Sequence, residues 1–338
     1  MKCTDKQKRR RKTNTAARTA ALILTVVLFS GAGAAGAYFL DKSPENQLLD
    51  YEGQNYRQSI WQGTFFAQDL CVAAENVALD GFADEDSLHA AGLFDINNRQ
   101  VVYGFRLYDK LYPASTTKIM TTYLALKYGN LDDIVTVSEH ATDFNWDEST
   151  AGLRTGDQIS LYDLVCGLML RSGNDCGTAI AEHIAGSEES FAELMNSEAR
   201  ALGATGTHFV NPHGLHDENH YTTAYDLYLI FNACLKDERF VEIISMDSYD
   251  GTLTGADGTV RTETWSPTNY YSSGAVEAPE GVRVLGGKTG TTDQAGCCVI
   301  LYGEDMQEHP YISVIMGAEN KNFLYQEMNR LFTAGISG

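Results

Sequence analysis

The chain has 338 residues, 43% of them hydrophobic, with 25 bases against 45 acids. That is ordinary apolar content for a packed core, and length for one large domain or two small ones. The first 18 residues hold eight of the bases and one of the acids, so the remainder is net −27. Such a surface argues against nucleic acid as a partner and against charge-driven binding to anionic lipid.

In chain order, residues 1–18 form a basic tail, and residues 19–40 then carry no charge until Asp41. A 22-residue uncharged run is long enough to cross a bilayer as a helix. The basic flank would stay on the cytoplasmic side and put the rest of the chain outside. A removed secretory signal is the alternative, with Ala35-Gly36-Ala37 as its cleavage site. The run is longer than a usual signal core and continues through Tyr38-Phe39-Leu40, which favours an uncleaved single-pass anchor. Residues 41–70 are polar with scattered aromatics and read as a stalk; folded-domain patterning begins at about Cys71 and is expected to run to residue 338.

Leu88–Phe94 and Val101–Phe105 read as strands joined by the turn-like Asp95-Ile96-Asn97-Asn98-Arg99. Pro113-Ala114-Ser115 opens a helix that should reach Tyr128 and stop at Gly129-Asn130. Helical periodicity recurs at 161–171, 176–185, 188–202 and 222–235. Strand-like runs return near 282–286, 296–302 and 311–316, and a last helix covers about 322–333. Strands early, helices in the middle and strands late predict an α+β fold: an antiparallel sheet with a helical subdomain inserted.

Of seven cysteines, Cys3 lies in the basic tail, whereas Cys71, Cys166, Cys176, Cys234, Cys297 and Cys298 lie where disulfides are allowed. Free buried thiols and one or two bridges are both open readings. None shows the spaced pairs of a zinc site.

Three short motifs occur in order: Ser115-Thr116-Thr117-Lys118, Ser172-Gly173-Asn174 and Lys288-Thr289-Gly290. Each alone is common; the ordered set in suitable local context carries the signal. A serine hydroxyl is a weak nucleophile until its proton is taken. Ser115 and Lys118 are three apart on a helix and share a face, so a lysine of depressed pKa can be that base. Ser115 also sits in the first turn, where backbone N–H groups can hold an oxyanion. Ser172 can relay a proton and Asn174 can fix Lys118 and a substrate backbone. Lys288 and Thr289 offer a charge and a hydroxyl to a terminal carboxylate, and Gly290 admits a strand closely. By that division of labour Lys118 is expected to be neutral and Lys288 charged.

From about residue 75 onward the chain resembles the D-alanyl-D-alanine carboxypeptidases, the low-molecular-mass penicillin-binding proteins. The resemblance rests on Pro113–Thr121, Leu168–Asp175 and Lys288–Asp293, with Asn211-Pro212-His213-Gly214-Leu215 and His220–Asp226 between them. It implies a β-lactamase/transpeptidase-like fold with helices flanking the sheet. It implies Ser115 as acylated nucleophile, Lys118 as base, Ser172 and Asn174 as relay and positioning groups, and Lys288 and Thr289 as carboxylate readers. An oxyanion hole from the N–H groups of Ser115 and Thr291 is also implied, and no metal or organic cofactor. The implied substrate is the pentapeptide stem of peptidoglycan, with β-lactams as covalent inhibitors. The sequence departs from some relatives in having Met316-Gly317-Ala318-Glu319-Asn320 where they place an arginine near the substrate carboxylate.

A Ser-His triad through His213 or His220 is disfavoured, because Lys118 already supplies a base; Asp175 and Asp226 are expected to cap or brace helices. A class A β-lactamase would need Glu-x-x-Leu-Asn between Asp175 and Gly287, which is absent. An endopeptidase cutting D-alanyl cross-links would use the same residues. A silent wall-binding relative would have no physical need of all five polar motif residues. The roughly domain-sized remainder beyond the stalk favours water over a peptide amine as acyl acceptor.

Overall fold

The computed structural model describes residue 67 and residues 69–82 and 88–336. The expected basic tail, the span at 19–40 and most of the stalk lie outside these residues. Among the described residues no helix is long and apolar enough to cross a membrane. Asp69–Gly338 is one compact unit.

A five-stranded antiparallel sheet is ordered β2-β1-β9-β8-β7. Its strands are β1 (Ala90–Asp95), β2 (Gln100–Phe105), β7 (Val282–Thr292), β8 (Gly296–Asp305) and β9 (Pro310–Ala318). Side chains alternate between two cores, as the pleat requires. Phe94, Ile300, Ile312, Val314 and Met316 face the helical part of the molecule. Leu93, Val299, Leu301 and Ile315 face α7 (Lys321–Gly335) on the other side. Burial on both faces explains the unbroken apolar run Cys297–Leu301, which would otherwise alternate with polar residues.

Between β2 and β7 the chain forms α1 (Lys118–Tyr128), α2 (Leu161–Cys166), α3 (Asn174–Ala185), α4 (Glu188–Ala201), α5 (Ala224–Cys234) and α6 (Glu238–Ile244). Eight of the eleven residues of α1 are buried, so this helix runs through the core rather than along its surface. The sequence marks several helix starts through side-chain caps: Ser160 on Asp163, Ser187 on Ser190, Thr223 on Asp226 and Asn320 on Phe323. Tyr228 of α5 stacks on Phe94 with ring centroids 4.1 Å apart, which joins the helical part to the sheet. The Tyr228 hydroxyl accepts from the Cys71 amide at 2.9 Å, and the Tyr225 hydroxyl donates to the Cys71 carbonyl at 2.8 Å. The entering chain is thereby clamped to α5.

The sequence reading missed a second sheet, ordered β3-β4-β5-β6. Its strands are β3 (Ile134–Thr136), β4 (Gln158–Ser160), β5 (Tyr249–Thr254) and β6 (Val260–Trp265). Two of these have three residues, and β6 buries only Trp265, so no apolar alternation announces them. All six cysteines among the described residues are free and buried, which settles their role as small core side chains.

Candidate active site

The helix expected to open at Pro113 begins as a 3-10 turn, Ala114–Thr117, and becomes α-helical at Lys118. Ala114 is held at φ 48°, an unfavourable region for a residue with a Cβ. Gly214, at φ +88°, packs so closely that a Cβ there would overlap the Ala114 carbonyl. On the other side a Cβ on Gly290 would lie 2.8 Å from the Ser115 amide nitrogen. Glycine at 290 is therefore what lets β7 lie directly against the turn that carries Ser115.

The second motif is presented by a different irregularity. Helix α2 continues as a π-turn, Gly167–Arg171, and stops at Ser172, which is left-handed at φ 63° and ψ 35°. Strained non-glycine positions of this kind are retained where the surroundings fix them. Here the brace is Asp175, 1% exposed, whose carboxylate accepts from the amides of Ala151, Leu153 and Cys176 at 2.8–3.0 Å. The Asn174 amide donates to the Ser149 carbonyl at 2.8 Å. Asp226, the other expected brace, accepts from the Thr207 hydroxyl at 2.7 Å.

These elements bring the first two motifs together around one amine. Lys118 is 0% exposed, and its Nζ lies 3.1 Å from Ser115 Oγ, 2.7 Å from Asn174 Oδ1 and 2.6 Å from the His213 carbonyl. Burial, and next the charge of Lys288, pull its pKa well below the ordinary value. The two carbonyl oxygens can only accept, so they take two N–H groups. In the neutral amine the remaining position is a lone pair, and it faces Ser115 Oγ. The arrangement can draw the Ser115 proton.

Lys288 is the residue expected to read a carboxylate. It is 1% exposed, because the pleat of β7 turns residues 286, 288 and 290 inward. Its Nζ donates to Ser172 Oγ and to the Thr289 carbonyl, each at 2.9 Å. Burial lowers its pKa to about 7, so its charge is less secure than the expected division of labour assumed. With Lys288 as donor, the Ser172 hydroxyl keeps its own proton to give elsewhere. The Thr289 hydroxyl lies 2.6 Å from that of Thr268, while Thr291 is exposed at the rim. β7 is an edge strand, so one side of its backbone is open to an extended peptide.

Neither histidine acts on Ser115. His220 Nδ1 accepts from the Val210 amide at 3.1 Å, so its Nε2 proton goes to Thr117 Oγ1, 2.8 Å away. Burial lowers His220 to about 3 and His213 well below its ordinary value, which keeps both neutral. His213 contributes its backbone carbonyl to Lys118, while its Nδ1 accepts from the Leu215 amide at 3.2 Å. Sequence reasoning missed that carbonyl, the Ser149 carbonyl and Thr268. Backbone oxygens carry no residue signature, and Thr268 sits in a Ser-Pro-Thr-Asn stretch that resembles any turn. No group of metal-ligating side chains occurs among the described residues.

Known proteins resemble this chain in sequence and fold. The D-alanyl-D-alanine carboxypeptidase family profile matches residues 82–320. D-alanyl-D-alanine carboxypeptidase DacA of Haemophilus influenzae is 30% identical over 79% of this chain and 66% of its own length. D-alanyl-D-alanine carboxypeptidase DacC of Escherichia coli is 33% identical over 82% of this chain and 66% of its own. The chain thus spans just under two thirds of the length of these relatives. The solved Streptomyces K15 DD-transpeptidase superposes with a TM-score of 0.69 at 25% identity, covering 75% of this chain and 98% of that one. Its match confirms the transpeptidase-like fold, and the profile spans all three motifs: the chain belongs to the D-alanyl-D-alanine carboxypeptidase family.

Proposed function

We propose that the chain is a serine D-alanyl-D-alanine carboxypeptidase that trims the pentapeptide stems of peptidoglycan outside the cytoplasmic membrane. Residues 71–338 would be the catalytic domain, 41–70 its stalk and 19–40 its single-pass anchor, with residues 1–18 on the cytoplasmic side. The basic flank and uncharged run of the sequence support that topology. N-terminal sequencing of native material tests it: a mature start at or just after Tyr38 means a removed signal.

In the proposed reaction Ser115 Oγ attacks the carbonyl carbon of the penultimate D-alanine as its proton passes to neutral Lys118. The oxyanion rests against the N–H groups of Ser115 and Thr291. The proton then travels through Ser172 to the leaving amine, the C–N bond breaks, and terminal D-alanine departs. Water attacks the ester, with Lys118 again taking a proton, and Ser115 is restored. Asn174 fixes Lys118 and the substrate backbone. Gly290 allows the close approach of that backbone, and Lys288, Thr289 and Thr291 line the place of the terminal carboxylate. β-Lactams would acylate the same serine and stay. The observation that carries this reading is the wholly buried Lys118 amine with its third position on Ser115 Oγ.

The test offers the purified chain a pentapeptide stem, its C-terminal amide and a cross-linked dimer. Free D-alanine from the first and little from the second is expected. Faster cleavage of the dimer would replace the reading with that of a cross-link endopeptidase.

A further inference from the structure

The largest exposed hydrophobic side chain in the described residues is Trp146, 96% exposed. It stands on the segment Asp143–Thr150, whose ends are tied to the site. At one end the Phe144 ring meets His213 edge-on, 5.5 Å between centroids, and His213 is the residue whose carbonyl holds Lys118. At the other, Ser149 bonds the Asn174 amide with its carbonyl and the Arg171 carbonyl with its hydroxyl. Between them a turn closes on itself: the Glu148 amide donates to the Asn145 carbonyl at 3.0 Å, and the Asn145 amide to the Glu148 carboxylate at 2.6 Å. Trp146 is therefore held out from a fixed turn, two residues from the ring that meets His213 and three from the carbonyl that holds Asn174. The segment carries three carboxylates, Asp143, Asp147 and Glu148, and no base.

We propose that Trp146 and Asp147 form a subsite for an amine-bearing aliphatic side chain on the acyl portion of the substrate. This rests on the stem-peptide reading above, in which Lys288, Thr289 and Thr291 line the place of the terminal carboxylate and Asn174, whose backbone the Ser149 carbonyl holds, fixes the substrate backbone. An indole face beside a carboxylate attracts an ammonium on an aliphatic stalk through cation–π, apolar and coulombic contact together. The diamino residue in the middle of an un-cross-linked stem has that chemistry. A stem whose amine is already acylated in a cross-link has lost the charge. The subsite would therefore favour free stems over cross-linked ones.

The experiment measures D-alanine release by the full chain from a pentapeptide with a free lysine amine, from its Nε-acetylated form, and from N-acetyl-D-alanyl-D-alanine, which lacks the diamino residue. Wild type should prefer the free amine by about tenfold in kcat/KM, with Asp147→Asn retaining only part of that preference. Trp146→Ala should lose the preference while releasing D-alanine from the short substrate at the wild-type rate. As a binding readout, the free-amine pentapeptide should shift the tryptophan emission of the Ser115→Ala chain, and Ser115→Ala/Trp146→Phe should lose that shift. Equal kcat/KM for both pentapeptides in wild type, or an unchanged preference in Trp146→Ala, overturns the subsite. No release from any substrate, together with no penicillin adduct, overturns the stem-peptide reading itself and the subsite with it.

Discussion

The two walls of the site hold their lysines in contrasting ways. On the helical wall, Lys118 is set one turn from Ser115 and its amine is met by Asn174 Oδ1 and the His213 carbonyl. On the sheet wall, Lys288 hangs from an edge strand and spends its bonds on Ser172 and the Thr289 carbonyl. Both are buried, and burial is the first cause of the fall in both pKa values. The difference lies in what each amine faces: one faces a hydroxyl that must lose a proton, the other a hydroxyl that must keep one to give. Equal burial thus serves two chemistries, and the neighbouring acceptors decide which.

The contrast is broken most severely at Lys118. Lys118→Arg puts a permanent cation where the amine is neutral and cannot act as a base, because guanidinium does not deprotonate. Penicillin acylation per folded molecule should fall by about 10³-fold or more, within the range for losing a general base. Lys288→Arg retains charge and donors, so acylation should slow by about tenfold only. Equal loss in the two variants would refute the division of roles.

A pH profile sharpens the same comparison. Lys118 must be neutral to act, so acylation should rise with pH through its depressed pKa. Lys288 loses its charge as pH rises through about 7, so KM for the pentapeptide should increase on that limb. In Lys288→Arg the KM rise should vanish while the acylation limb stays. A KM that is flat with pH in wild type would remove Lys288 from carboxylate binding.

Stability reads Lys288 from a third side. Its pKa is about 7 folded against an ordinary 10.5, so between those values the unfolded chain binds more protons and stability rises with pH. Lys288→Met should flatten that rise relative to wild type in chemical denaturation from pH 7 to 10. An unchanged slope would mean that the buried amine keeps its proton. The smallest effect is expected away from both walls: Thr223→Ala removes the cap of α5 and should cost about 1 kcal/mol without changing activity per folded molecule.

What the sequence disclosed follows the same physical divide. The pairing of Ser115 with Lys118 was legible because helical spacing alone puts residues three apart on one face. The helices α4, α5 and α7 were legible through the helical periodicity at 188–202, 222–235 and about 322–333, and β8 through its strand-like run near 296–302. The environment of Lys288 was not, since it depends on the inward pleat of β7 against an element more than a hundred residues earlier. The His213 carbonyl was hidden because a backbone group looks the same in every residue. The hairpin β5–β6 was hidden because its partners are mostly solvent, apart from contacts such as the Trp265 indole donating to the Ala151 carbonyl at 2.9 Å.

The central claim is that one serine, beside one neutral lysine, becomes acylated. Intact-mass measurement after incubation with penicillin tests it directly. The full chain should gain a single penicillin mass, and Ser115→Ala should gain none. An adduct that persists in Ser115→Ala, or none on the wild-type chain, would contradict the account.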